Sequence, residues 1–445
     1  MENMIFSKML FLDKNKIIMI FILSLAIQVA YLSFYPLDKP KKDAVIYDTI
    51  GFNIASGKGF SMDGINPTTL YPIYPIVLSL IYSLFGHNYF VVQFFLALLM
   101  ALTCVITYLI GKVIFDEKAG LLASLLLAFY PPFLGLSRIM YAEPVLFLFL
   151  YLLILLLVLF LKYKRMLYIF FVGILAGLAI LSKPYIIYAP LIVSILIFFL
   201  LSNKRLAVKS VVILNLAILL AMAPWTIRNY IVFGDFRPIS FFAIKAGKIN
   251  KVDIAAFYNK EKYTRNVLLQ QEQMLDDYYR KAKISNPSQI KKNIIQRMVD
   301  YLGSDYTGNP SNFIDLVRRL HITSYSDILD LGIPFKAFAD DDMLREKYRF
   351  IFLTKFMIII ASFLIFILGI IGIIFQISRN REALVLAVLF LSHTIFFYLW
   401  AVLWGQAGIG GRYGIPVLPV LFLFASGVII KIFHSIVKPR VIALR

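Results

Sequence analysis

One cysteine, Cys104, occurs in 445 residues. The chain can therefore close no disulfide within itself and can build no thiolate metal site. Histidine is nearly as scarce: His87, His321, His393 and His434 show no ligand spacing, which argues against a zinc centre. Charged residues make up only 16% against 60% hydrophobic. That balance excludes an ordinary soluble domain and belongs to polytopic membrane proteins. No strand, Gly-rich turn and helix follow one another, so a soluble nucleotide-binding unit is not expected. Gly57-Lys58-Gly59 comes nearest, but no apolar strand precedes it and no clear helix follows. Sustained strand alternation, internal repeats and low-complexity stretches are missing as well. A net charge of +20 would suit nucleic acid if the cations lined one face. Here they fall between apolar runs, so the charge is assigned to membrane topology and no nucleic-acid partner is expected.

What the chain does have is apolar runs long enough, or nearly so, to cross a bilayer. They fall at 17–34, 89–114, 119–136, 143–161, 166–182, 185–202, 210–227, 350–376, 383–403 and 413–433, which makes about ten transmembrane helices. The first follows Lys8, Lys14 and Lys16 and carries no small-residue cleavage site, so a retained signal anchor is expected. Basic residues recur in every second connection: Lys112 and Lys118; Lys162, Lys164 and Arg165; Lys204, Arg205 and Lys209; Arg379 and Arg381; and the tail. The positive-inside rule then places both termini in the cytoplasm and the remaining connections outside.

Those outer connections are the loop 35–73, the turn near Arg138, the turn at Lys183-Pro184, the polar segment Arg228–Arg349 and the turn Gln406–Arg412. Tyr74–Gly86 is apolar but short, and suits a re-entrant or interfacial helix better than a span. Three parts are therefore expected. Residues 1–227 form a transmembrane module carrying the outer loop 35–73, residues 228–349 a small, mainly helical outer segment, and residues 350–445 the C-terminal transmembrane helices. Asn286-Pro287-Ser288-Gln289 starts a helix within the outer segment, and Gly303 ends it. The run Asp340-Asp341-Asp342 suits either a divalent metal ion or the cap of a helix beginning near Met343.

Chemistry concentrates after the first apolar run. In Lys42-Asp43-Ala44-Val45-Ile46-Tyr47-Asp48, a helix would put Asp43 and Tyr47 on one face, with Asp48 about a quarter turn round. A carboxylate held at a membrane surface can serve as a general base; equally, these acids could simply face water from an amphipathic helix. Sidedness adds Arg138, Glu143, Lys183, Arg228 and Arg412. Each cation is either a headgroup ligand or a snorkelling anchor. Glu143-Pro144 opens a span, where a carboxylate also complements the helix dipole.

The order of these pieces resembles a known family. Asp43-x-x-x-Tyr47-Asp48, then Asn53 to Ser61, then Tyr71-Pro72-Ile73-Tyr74-Pro75 and Phe85-Gly86 are similar to the first outer loop of the dolichyl-phosphate-mannose protein mannosyltransferase-like family. That family belongs to the glycosyltransferase-C superfamily and includes the lipid A aminoarabinose transferases. The likeness continues through Ser137-Arg138 with Glu143, Leu181-Ser182-Lys183-Pro184, Pro224 to Tyr230, and Gly411-Arg412-Tyr413-Gly414-Ile415-Pro416. It implies an all-α, polytopic enzyme that transfers one sugar, with inversion, from a polyprenyl-phosphate carrier to a glycan, lipid or protein acceptor. It also implies that Asp43 is catalytic. Many relatives carry Asp-Glu where this chain has Asp43-Ala44, which leaves Glu143 as the candidate second acid. Lys183 stands where Arg is common and would meet phosphate as a point charge. Arg138, Arg228 and Arg412 would join it on the donor, with Tyr47, Asp48 and Tyr413 on the substrate side. Membrane lipids surround the whole. The rival readings are a transporter or flippase, which should carry ionisable groups near mid-membrane in broken helices, and a surface-polysaccharide polymerase or ligase.

Overall fold

The computed structural model describes residues 14–34, 40, 43–61, 71–234, 236, 238, 349–377, 380–404 and 415–442. Every regular element among them is a helix. The physical reason lies in the Leu, Ile and Phe runs. In hydrocarbon each backbone N–H and C=O must be satisfied within its own segment, and the helix does this. In chain order the helices are α1 (Lys14–Phe34), α2 (Asp43–Ala55), α3 (Ile73–Phe85), α4 (Tyr89–Ile114), α5 (Glu117–Ala128), α6 (Pro131–Arg138), α7 (Glu143–Tyr163), α8 (Met166–Ser182), α9 (Tyr188–Leu200), α10 (Lys204–Phe233), α11 (Arg349–Gln376), α12 (Arg381–Trp404) and α13 (Leu418–Ile442). Short 3₁₀ turns at Pro184–Ile187 and Ile415–Val417 precede α9 and α13.

The described parts of the ten apolar runs are mainly helical, yet ten spans are not confirmed. Among the described residues six helices are long and apolar enough to cross a membrane, or seven if one bent pair counts as a span. The bent pair is α5 and α6, which meet at 55°. Pro131 and Pro132 cannot continue a helix from α5, and they start α6 instead. At 17 residues, α8 extends about 26 Å, less than the roughly 30 Å of a hydrocarbon core. The 13-residue α3 bears out the short helix expected at Tyr74–Gly86. Residues 239–348 lie outside the described residues, and with them the expected helix from Asn286 and the Asp340–Asp342 run. So do Gln406, Arg412 and Tyr413.

Packing is tight where small residues let backbones meet. Cβ atoms added at Gly173 and Gly177 of α8 would stand 2.6 Å from Ala217 Cβ and 2.7 Å from Ala221 Cβ, both on α10. Around α4 gather α1, α5 and α7, and the core there is filled by Tyr108, Phe133, Phe147 and Phe160, all fully buried. α1 begins where Lys16 pairs with Glu117, beside Lys112 at 3.7 Å from the same carboxylate. Its later turns reach Ser137, whose hydroxyl donates to Gln28 Oε1 at 2.8 Å. Lys16, Lys112 and Glu117 thus mark one end of the bundle, and Ser137 and Arg138 the other.

Candidate active site

At the Arg138 end, α2 lies against α3. Ala44, Tyr47 and Gly51 recur at helical spacing and are all buried. Gly51 permits the close contact, since a Cβ there would come 2.6 Å from Leu78 Cβ. Beyond α2 the chain turns through Gly57 and Gly59, both at positive φ (76° and 72°). Asn53 Nδ2 fastens that turn by donating to Ser61 O at 2.8 Å.

Lys183 ends α8 because Pro184 follows it and the residue before a proline is pushed out of helical geometry. Glu143 opens α7 ahead of Pro144. The two side chains meet: Lys183 Nζ is 3.3 Å from Glu143 Oε1. Lys183 is 6% exposed and Glu143 1%. The Lys183 ammonium also stands 5.7 Å from the centre of the Tyr47 ring. Glu143 Oε2 is buried with no hydrogen-bond partner among the described residues, and the same holds for Tyr74 Oη and Arg138 Nε. Tyr74 sets its ring edge-on to Tyr47, with centroids 5.2 Å apart. Burial first, then the neighbouring Tyr47, Glu143 and Asp48, hold its phenol well above the ordinary tyrosine range. It therefore stays a neutral O–H.

Between Arg138 and Glu143 the chain passes through Met140 at φ 52°. This buried side chain is held in the left-handed region, a strain of about 1–3 kcal/mol that persists only where the surroundings enforce it. Gln93 Nε2 donates to Arg138 O at 3.1 Å and supports the same turn. After Lys183, Tyr185 and Tyr188 bind the 3₁₀ turn to α12. Their rings lie 5.3 Å from Phe397 and 4.7 Å from Phe396, and the Tyr188 hydroxyl hydrogen-bonds His393 Nδ1.

The expected residues divide into groups. Tyr47, Glu143 and Lys183 come together although they arise from three separate helices. Asp43 opens α2 one turn before Tyr47. Asp48 lies beside the group with its carboxylate already engaged: Tyr82 Oη donates to Oδ1 at 2.6 Å, His87 Nε2 contacts the same oxygen at 2.7 Å, and Tyr89 Oη donates to Oδ2 at 3.2 Å. Arg228 holds the loop after α2. Its guanidinium sits 4.8 Å from the Trp225 ring and 5.3 Å from the Phe60 ring, and Nη2 donates to Phe60 O at 3.3 Å. Tyr74, Tyr82, His87, Tyr89, Phe60 and Trp225 were not picked from sequence. Tyr74 stood within Tyr71-Pro72-Ile73-Tyr74-Pro75, and Tyr82 and Tyr89 flank the helix break at Gly86. Among the described residues no three His, Cys, Asp or Glu are grouped to hold a metal ion.

This arrangement of helices has counterparts among solved structures. The chain is similar in fold to the oligosaccharyltransferase AglB from Archaeoglobus fulgidus in complex with an inhibitory peptide and a dolichol-phosphate: TM-score 0.56, 14% identity, over 97% of this chain and 52% of that one. The apo form of the Archaeoglobus fulgidus oligosaccharyltransferase gives 0.57 at 15% identity, over 98% and 52%. The chain thus spans about half the length of these structures. Residues 67–227 match the dolichyl-phosphate-mannose-protein mannosyltransferase family, which bears out the likeness read from the motifs there. That range takes in Tyr74, Arg138, Glu143 and Lys183; Asp43 and Asp48 precede it. No curated protein matches the sequence.

Proposed function

We propose that the chain is a membrane glycosyltransferase that moves one sugar from a polyprenyl-phosphate carrier to an acceptor on the outer face of the plasma membrane, with inversion. One observation carries this reading. A carboxylate and an ammonium, Glu143 and Lys183, are buried together at one end of the bundle under α2, the helix that Asp43 opens.

In this mechanism the acceptor hydroxyl or amine attacks the anomeric carbon as Asp43 takes its proton. The bond from that carbon to the phosphate oxygen breaks, and its electron pair leaves on the phosphate. Lys183, with Arg138 and Arg412, stabilises the charge that grows there, and cations fixed in a partly dry site do so without reorganising. Glu143 is the second acid. It sets the Lys183 ammonium in place, and its Oε2 remains available to a polar group of the substrate. Tyr47 and Tyr413 are assigned to the sugar, and Arg228 shapes the loop at Phe60.

Purified full-length protein in liposomes should consume a polyprenyl-phosphate sugar and ignore free nucleotide sugars. Robust turnover of a nucleotide sugar with no lipid carrier present would overturn the proposal.

A further inference from the structure

We infer that Asp48 is a positioning residue: its carboxylate clips α2 to the corner between α3 and α4, and so fixes the rotation of the helix that begins at Asp43 and brings Tyr47 beside Lys183, without itself meeting substrate. The consequence for catalysis rests on the glycosyl-transfer reading. The clip is read from geometry alone.

Three groups converge on this carboxylate from consecutive pieces of chain. Tyr82 comes from the last turn of α3, His87 from the break after Gly86, and Tyr89 is the first residue of α4. The His87 ring is itself packed between Phe52 of α2, at 4.8 Å, and the rings of Tyr82 and Tyr89, at 4.6 and 5.0 Å. Asp48 is buried, and its two oxygens already take three hydrogen bonds out of about four lone-pair positions. Little capacity is left for a ligand. Burial and the Asp48 charge both raise the Tyr82 phenol, so it remains a donor.

α2 needs such a hold. At 13 residues it falls in the range where an isolated helix is marginal, roughly 12–15 residues, so tertiary contacts must fix its place. Asp48 adjoins Tyr47 and lies five positions after Asp43. Fixing its azimuth therefore fixes theirs, because each residue turns the helix by about 100°. Gly51 against Leu78 secures the face, and Arg228 on Phe60 secures the loop beyond. Asp48 is left to secure the rotation.

Replacing Asp48 separates the two roles: Asn keeps the shape, can accept from Tyr82 and His87 at Oδ1 and can donate from Nδ2 to the Tyr89 hydroxyl, but carries no charge, while Ala keeps neither shape nor bonds. Full-length protein in liposomes would be assayed with a polyprenyl-phosphate sugar, and deuterium uptake across residues 43–55 measured on the same preparations. Asp48→Ala should lower kcat about 10²-fold, as a misplaced catalytic group does, with the donor KM within about threefold, and should raise uptake across α2. Asp48→Asn should restore both readouts to within about threefold of wild type. If Asp48→Ala does not fold, Tyr89→Phe removes a single bond of the clip and should raise uptake in 43–55 by itself.

The inference is overturned if Asn loses as much kcat as Ala while α2 stays protected, because Asp48 would then act through its charge on substrate. It is equally overturned if neither Asp48→Ala nor Tyr89→Phe changes uptake across α2. Should wild-type protein turn over no polyprenyl-phosphate sugar, the functional reading fails, and the exchange measurement alone decides the clip.

Discussion

Lys183 Nζ lies 3.3 Å from Glu143 Oε1, and the two side chains share a site that solvent scarcely reaches. Breaking such a pair on one side leaves an uncompensated buried charge, typically a loss of about 3–5 kcal/mol, whereas replacing both partners with neutral groups of similar volume is often tolerated. Lys183→Met alone should therefore lower the thermal midpoint in detergent more than the double change Glu143→Gln with Lys183→Met. Equal midpoints for the single and double variants would show that the two charges are not coupled.

Arg228 should prove to be a clamp on the loop after α2. Its guanidinium rests near the rings of Phe60 and Trp225 and donates to Phe60 O. A cation–π contact is worth about 0.5–2 kcal/mol, depending on exposure. Arg228→Ala should raise deuterium uptake in residues 56–61 while α4 and α7 keep their protection. Arg228→Lys should give an intermediate result, because an ammonium keeps the charge and loses the planar stacking. Unchanged uptake in 56–61 for the Ala variant would remove the clamp.

The helices were legible because span length and apolar composition suffice to set them. The described part of every apolar run is mainly helical, and the length of the short segment near Tyr74 already marks it as a helix too short to span. The count of ten spans is left unconfirmed at particular places. Pro131-Pro132 breaks one run into α5 and α6, and α8 stops at Lys183 because of Pro184. Sidedness brought Glu143 and Lys183 to one end, but no spacing rule pairs side chains on different helices, so their contact was not legible. The partners of Asp48 were hidden for a similar reason. Tyr82 and Tyr89 are contributed from either side of a helix break, where periodicity carries no information.

Membrane sidedness can be measured directly. The alternation of basic connections predicts Lys58 outside and Lys164, Arg205 and Arg381 in the cytoplasm. Lys58→Cys, Lys164→Cys, Arg205→Cys and Arg381→Cys, each in a Cys104→Ala background, would be exposed to an impermeant thiol reagent on intact cells. Only the first should label. Labelling of Lys58→Cys and Lys164→Cys from the same side would overturn the alternation of spans, and labelling of the other three but not Lys58→Cys would reverse the placement of the site.

The strongest demand falls on Asp43. It opens α2 at the helix N-terminus, one turn before Tyr47, and the Tyr47 ring lies 5.7 Å from the Lys183 ammonium. The helix register thus brings a carboxylate-bearing position toward the buried pair. Asp43→Asn keeps the size and hydrogen-bonding shape but cannot take a proton, so turnover of the lipid-linked donor should fall by roughly 10²-fold or more, the scale of a general base. Stability should change little. Losing a charge from the first turn of a helix costs about 0.3–1 kcal/mol, well below the loss expected at Lys183. The comparison that matters is with Asp48→Asn, which should retain most activity because Oδ1 still accepts from Tyr82 and His87 and Nδ2 can donate to the Tyr89 hydroxyl. If Asp43→Asn keeps wild-type turnover, or if Asp48→Asn proves the more damaging change, the proton acceptor is not Asp43. Glu143, whose Oε2 has no partner among the described residues, would then be the group to test next.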